Sequence, residues 1–140
     1  MSTIPFFAAS VPAGFPSPAD DYIEASLDFN KLLVHRPAAT FCLRAKGESM
    51  VGAGIFPGDI LVVDRAVKPL HGSVIIAALG GEFTVKYLEI RKGEPWLVPA
   101  NPTFSARKVG ENEAFEVWGV VTWVLHSTLL QNGKQGEKPF

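Results

Sequence analysis

Apolar runs of strand length dominate the chain after Pro37. Six runs rich in β-branched and aromatic residues follow one another, separated by turn-forming stretches such as FPGD, LHG and LGGE. In chain order these runs are ATFCLRA, DILVVD, SVIIAAL, EFTVKYLEI, WLVPA and FEVWGVVTWVL. Most of them are too apolar for a sheet with one face in water. The pattern therefore predicts a mostly β fold, built as a partly closed β-barrel or as packed sheets.

The N-terminal part of the chain follows a different pattern. Its prolines remove backbone donors and disfavour helix in the residues before them; they are Pro5, Pro12, Pro16 and Pro18. We therefore expect an extended N-terminal arm. A short helix or turn is predicted around Leu27 to Val34, closed by Pro37.

These two patterns, with a polar end, predict the domain organisation. The chain has 140 residues, 47% of them hydrophobic, which is enough for one core and too little for two independent ones. We predict a flexible arm over residues 1–37, a β-rich domain over residues 38–126 and a polar C-terminal tail over residues 127–140.

Composition excludes several function classes. A net charge of -1 gives no broad basic field, so direct sequence-specific DNA binding is not expected. No apolar stretch is long enough for a membrane span, and MSTIPFFAAS lacks the basic start of a secretory signal. We expect a cytoplasmic protein. The single cysteine, Cys42, excludes an intramolecular disulfide and is expected to be a small core residue.

Ser49, in the stretch RAKGESM, is a candidate nucleophile that needs a proton acceptor. The histidines, His35, His71 and His126, all lie at element ends or turns. A Ser-His-Asp triad is disfavoured because GESMV lacks the second glycine of the nucleophile-elbow pattern.

Lys86, in EFTVKYLEI, is the other candidate base. Strand alternation places Thr84, Lys86, Leu88 and Ile90 on one face. Because both faces of this run are largely apolar, burial would lower the lysine pKa toward a neutral amine. The structural alternative is a strand lysine whose ammonium reaches water and a serine that only forms a turn.

Four longer segments resemble the UmuD family of accessory proteins of error-prone polymerases. They are GFPSPADDYIEASLDFNKLL, KGESMVGAGIFPGDILVVDRA, HGSVIIAALGGEFTVKYL and VPANPTFS. The wider group, which includes LexA and the signal peptidases, uses a Ser-Lys dyad. The resemblance implies the fold of the LexA C-terminal domain and the signal peptidases. The Ser-Lys chemistry that it implies needs neither a metal nor another cofactor.

The resemblance also assigns site residues. It implies that Ser49 is the nucleophile and Lys86 the general base, in a domain that also dimerises. It implies self-cleavage between Ala13 and Gly14, with the backbone N–H groups of Glu48 and Ser49 as oxyanion donors. Val11 would contact the cleft, since it lies two residues before Ala13 on the same side of an extended segment.

At the level of function, the resemblance implies a role in the SOS response to DNA damage. Cleavage would be stimulated by a RecA filament on single-stranded DNA. The product, a homodimer, would be an accessory subunit of a Y-family (UmuC-like) DNA polymerase in translesion synthesis. Two alternatives stay open: a non-cleaving dimeric regulatory binding module on the same fold, and a repressor fragment without its DNA-binding head.

Overall fold

The structure is a computed structural model that describes residues 3–7, 11–14 and 23–129. The chain divides into two compact units, Met1–His35 and Arg36–Phe140. Of the predicted C-terminal tail, residues 130–140 lie outside the described residues. Parts of the predicted arm also lie outside them.

The first unit contains a two-stranded antiparallel sheet and a short helix. Strand β1 is Ile4–Phe7, strand β2 is Ile23–Leu27 and helix α1 is Phe29–Leu33. Asp28 caps the helix, because its carboxylate accepts the first free backbone N–H groups. The helix predicted around Leu27 to Val34 is confirmed, whereas proline content alone did not indicate the strand pairing.

The second unit is built on one seven-stranded antiparallel sheet. Its strands are β3 Thr40–Arg44, β4 Ile60–Asp64, β5 Val74–Leu79, β6 Glu82–Arg91, β7 Glu94–Val98, β8 Arg107–Lys108 and β9 Phe115–Leu125. Two 3-10 turns accompany them, Pro37–Ala39 and Val51–Ala53. The spatial order is β3-β4-β9-β5-β6-β7-β8, with every neighbouring pair antiparallel.

The predicted mostly β fold is confirmed, and each of the six predicted runs forms a strand. Strands β3 and β8 are the two edges of the described sheet, so it does not close into a barrel. The prediction that Cys42 lies in the core is wrong. Cys42 is exposed because its side chain points to the face of β3 opposite to Phe41 and Leu43, which pack against the core.

Buried side chains form two clusters, which explains why the strands lack clean alternation. Ile76 belongs to the cluster that contains Met50, Leu61 and Val63, whereas its neighbour Ile75 belongs to the other cluster. Because adjacent strand residues point to opposite faces, β5 is covered on both faces. Removing these apolar faces from water is the main stabilising contribution to the fold.

The hairpin of β5 and β6 sets the position of Lys86. Gly80 and Gly81 form a two-residue turn with φ values of 59° and 85°, a conformation that glycine adopts without strain. The resulting register places Lys86 opposite Ile75. Strand β7 pairs with β6 only from Tyr87 onward, so the preceding half of β6 pairs on one side only within the described sheet.

Candidate active site

Ser49 lies in a loop that is closed at its base by backbone hydrogen bonds. Ala45 N–H donates to Asp59 O at 2.8 Å, and Gly58 N–H donates to Ala45 O at 2.9 Å. Met50, which directly follows Ser49, is only 2% exposed and anchors the turn in the core. Ser49 itself is half-buried.

A second segment, residues 100–101 after β7, holds the backbone on both sides of Ser49. Ala100 N–H donates to Ser49 O at 2.8 Å, and Gly52 N–H donates to Ala100 O at 2.7 Å. Asn101 Nδ2 donates to Glu48 O at 2.9 Å. The serine turn is therefore fixed by contacts from outside its own loop.

Lys86 meets Ser49 directly. Lys86 Nζ lies 2.9 Å from Ser49 Oγ, although the two residues are 37 positions apart. The same amine donates to Thr84 Oγ1 at 2.9 Å and to the Val85 carbonyl at 3.1 Å. The structure thus brings together the two side chains that the sequence singled out.

The surroundings of Lys86 favour its neutral form. The amine faces a cleft of about 150 Å³, which is lined by apolar residues such as Leu61 and Ile76 and also by Arg44 and Lys46. Desolvation by this half-buried setting lowers the pKa of Lys86 below its ordinary value. An amine that loses its proton more readily is a better general base near neutral pH.

Hairpin geometry explains why Val85 O is available to the lysine. In a two-residue hairpin the residues flanking the turn, Leu79 and Glu82, face each other as a hydrogen-bonded pair. Hydrogen-bonded and non-hydrogen-bonded pairs alternate along the hairpin, so the backbone N–H and C=O groups of Phe83 and Val85 point away from β5. They therefore lie on the edge of β6 that β7 leaves open.

Thr84 is a site residue that sequence analysis placed but did not select. Alternation put its side chain on the same face as Lys86, and the contact between Thr84 Oγ1 and Lys86 Nζ follows from that spacing. Nothing in the local sequence pattern indicated the contacts of Ala100 and Asn101. Those contacts depend on how the loop after β7 folds back.

The histidines of the second unit serve other contacts. His71 Nδ1 accepts a hydrogen bond from Ile90 N–H at 2.9 Å. His126 Nδ1 lies 2.6 Å from the buried Asp59 carboxylate. For the side chain of Ser49, the hydrogen-bond partner within the described part of the chain is Lys86.

The predicted cleavage segment belongs to the first unit. Val11, Ala13 and Gly14 are all exposed, and Val11 is 92% exposed. In the described ranges, no group of three or more His, Cys, Asp or Glu side chains is arranged to hold a metal ion. No described helix is long and apolar enough to cross a membrane.

Comparison with known proteins decides the family. Residues 5–122 match the Peptidase S24-like family. The chain belongs to this family. The resemblance seen in the sequence motifs is thereby confirmed.

Individual relatives of this S24-like chain align over most of its length. Protein ImpA of Escherichia coli is 52% identical over 124 residues, covering 89% of this chain and 84% of ImpA. Protein SamA of Salmonella typhimurium is 47% identical over 128 residues, 91% of this chain and 89% of SamA. Protein MucA of Escherichia coli is 44% identical over 123 residues, 87% of this chain and 84% of MucA.

Proposed function

We propose that this S24-like chain is a serine endopeptidase that cuts its own Ala13-Gly14 bond, with Ser49 as nucleophile and Lys86 as general base. The observation that carries the proposal is the 2.9 Å approach of Lys86 Nζ to Ser49 Oγ in a partly buried cleft. The lowered pKa of Lys86, caused by desolvation, supports the same assignment.

The three acceptors around Lys86 suit a neutral amine. A neutral lysine has two N–H bonds, which donate to Thr84 Oγ1 and Val85 O, and one lone pair directed at the Ser49 hydroxyl. The amine then takes the hydroxyl proton as Oγ forms a bond to the Ala13 carbonyl carbon.

The remaining steps return every group to its starting state. The tetrahedral intermediate collapses by breaking the bond between Ala13 carbon and Gly14 nitrogen, and the Lys86 ammonium gives its proton to that nitrogen. Water, deprotonated by the neutral amine, then attacks the acyl-enzyme and releases residues 1–13. Lys86 returns the proton to Ser49 Oγ as that bond breaks.

Backbone N–H groups of Glu48 and Ser49 are the proposed oxyanion donors. Neither group donates a hydrogen bond to another protein group within residues 3–7, 11–14 and 23–129. Donors that are already oriented and unused can stabilise the negative oxygen of the tetrahedral intermediate at little reorganisation cost.

The open edge of β6 offers a means of holding the substrate. Backbone groups of Phe83 and Val85 can pair with an extended peptide, which would add a strand beside the serine. The segment Val11–Gly14 contains small residues around the cut and a proline that favours extended backbone. Val11 would then direct its side chain to the same side as Ala13.

For the biological role we propose SOS mutagenesis. Membership of the family and similarity to the UmuD motifs support cleavage stimulated by a RecA filament on single-stranded DNA. The product Gly14–Phe140 would act as a homodimer and as an accessory subunit of a Y-family DNA polymerase. In this proposal cleavage converts the chain from a substrate into a polymerase partner.

Intact mass of the purified protein tests the cleavage proposal. The full chain is held from about pH 7 to about pH 10, alone and with a RecA filament on single-stranded DNA. The matched variants are Ser49→Ala, Lys86→Ala and, as an exposed lysine control, Lys68→Ala.

We expect loss of residues 1–13 at a rate that rises with pH in the unmodified chain and in Lys68→Ala, and no loss in the other two variants. Cleavage of Ser49→Ala at the unmodified rate would contradict the assignment. A chain that stays intact in both conditions would favour the non-cleaving binding module.

A further inference from the structure

The peptide bond between Glu48 and Ser49 is held from outside the serine loop by a side chain. Asn101 Nδ2 donates to Glu48 O at 2.9 Å. The same carbonyl also accepts Val51 N–H, at a longer distance of 3.4 Å. Asn101 therefore makes the shorter of the two contacts on this peptide group.

The orientation of the Asn101 amide is fixed by its other end. Asn101 Oδ1 accepts Thr103 N–H at 3.1 Å and the Thr103 hydroxyl at 2.9 Å. A backbone N–H can only donate, so the atom facing Thr103 must be the oxygen. The nitrogen is therefore the atom that faces Glu48 O.

Peptide geometry converts this contact into a constraint on Ser49. In a trans peptide the carbonyl of one residue and the N–H of the next point in opposite directions within one plane. The bond on Glu48 O therefore turns the Ser49 N–H away from Asn101. Ala100 N–H fixes the following peptide plane in the same way, through Ser49 O at 2.8 Å.

We infer that Asn101 is a positioning residue that aims the Ser49 N–H at the oxyanion of the cleavage reaction. This inference rests on the proposed peptidase function. The Ala100 contact uses backbone atoms, whereas the Asn101 contact is made by a side chain that a substitution can remove. The side chain of Asn101 bonds to Glu48 O, whereas Lys86 Nζ is the group that bonds to Ser49 Oγ, so the effect of Asn101 is on stabilisation of the intermediate and not on proton transfer.

The test uses three variants of the full chain. Asn101→Asp keeps an oxygen for Thr103 and replaces the donor to Glu48 O by an acceptor, with nearly the same shape. Asn101→Ala removes the contact without adding a charge. Thr103→Val is the matched control, because it removes the hydroxyl donor to Asn101 Oδ1 but leaves Asn101 Nδ2 on Glu48 O.

Self-cleavage is followed by intact mass across pH, with and without the RecA filament, and Tm is measured in parallel. We expect both Asn101 variants to lower the plateau rate about 10- to 100-fold, part of the effect of losing an oxyanion donor. The pH midpoint of Asn101→Ala should not move, since this variant adds no charge and leaves Lys86 untouched. Thr103→Val should cleave within about threefold of the unmodified chain.

Several outcomes would overturn the inference. Cleavage of both Asn101 variants at the unmodified rate would do so, as would a shift of the pH midpoint in Asn101→Ala, which would place its effect on Lys86. A rate loss that only follows the unfolded fraction measured by Tm would assign Asn101 a structural role. If Ser49→Ala also cleaves, the peptidase proposal fails; if Ser49→Ala is inert and Asn101→Asp is fully active, only the role of Asn101 fails.

Discussion

Thr84 Oγ1 accepts a hydrogen bond from Lys86 Nζ at 2.9 Å, which ties the lysine to a neighbour on its own strand. Thr84→Val keeps the shape and removes this acceptor, so the amine loses one of the contacts that direct its lone pair. We expect self-cleavage to slow about fivefold, the effect of losing one hydrogen bond of about 1 kcal/mol. Intact mass against time gives the rate.

The control for this prediction is Thr122→Val on β9. Thr122 Oγ1 donates to Val62 O at 3.3 Å, and Thr122 is exposed. The same chemical change there should leave the rate within about twofold of the unmodified chain. Equal slowing of both variants would mean that Thr84 acts through general stability.

The lowered pKa of Lys86 predicts a pH-dependent stability. Because the folded-state pKa lies below the unfolded value, the unfolded chain binds more protons between the two, and stability rises with pH through that window. The comparison uses a Ser49→Ala background, which keeps the chain intact. The free energy of unfolding of this background chain should rise relative to that of its Lys86→Met variant as pH rises toward about 10.

Urea unfolding at several pH values measures this difference. Lys68→Met in the same background is the control, because Lys68 is exposed. A lowered pKa would be contradicted if the difference in unfolding free energy between the background chain and its Lys86→Met variant stayed constant across the range. A change of this difference in the opposite direction would contradict it as well.

The ion pair of Arg36 and Asp64 predicts an acid-sensitive contribution to stability. Burial raises the pKa of Asp64, but the Ala66 N–H and the Arg36 guanidinium, which donates at 3.0 Å, outweigh burial and lower the pKa overall. Stability from such a carboxylate is present above its unfolded pKa and is lost as pH falls through the folded value. Arg36→Met should therefore shift acid unfolding to higher pH.

At neutral pH the same variant should lose about 1 to 3 kcal/mol of unfolding free energy, because the buried carboxylate keeps one partner fewer. Urea denaturation measures the loss. Lys108→Met is the comparison, since the side chain of its partner Glu94 is 47% exposed and both charges are well solvated. A larger loss for Lys108→Met than for Arg36→Met would refute the interpretation.

Gly52 lies where a side chain would collide with the segment that holds the serine turn. A Cβ there would stand 2.4 Å from the Ala100 carbonyl oxygen, a backbone atom that cannot move independently. Gly52→Ala should cost about 1 to 3 kcal/mol of stability and should also slow cleavage, because Ala100 holds the Ser49 carbonyl.

Gly110→Ala is the matched control for Gly52→Ala. Its Cβ would meet Glu113 Oε1 at 3.2 Å, a much smaller overlap than the 2.4 Å at Gly52 and with a side chain in place of the backbone. Thermal unfolding and intact mass should separate the two variants. If Gly52→Ala matches Gly110→Ala in both, the contact with Ala100 does not constrain the turn.

Sequence reasoning predicted the strands well and the loops poorly, for a physical reason. Apolar runs reveal strands because burial imposes a pattern on them, so β5 and β6 were expected. The two residues of β8 are too few to show a pattern. Paired strands in the N-terminal unit were missed because prolines dominated the interpretation of that segment.

In the candidate site too, periodicity predicted a contact along a strand and missed the contacts made by a loop. The pairing of Ser49 with Lys86 was inferred from family resemblance, since a separation of 37 positions carries no distance information by itself. Alternation correctly placed Thr84 beside Lys86. The contacts of Asn101 arise from a loop that returns to a distant part of the chain, and no local periodicity encodes such a return.

The two-glycine turn before β6 has a consequence for how the gene can vary in length. Alternation counted from this turn sets the face that Lys86 occupies, so one extra residue inside β6 before Lys86, unless a β-bulge absorbed it, would move Lys86 to the opposite face. Lys86 would keep its identity and lose its partner Ser49. The number of residues between the turn and Lys86 is thus constrained together with the lysine itself, and a single-codon insertion within that stretch would separate the dyad while leaving both of its residues in the sequence.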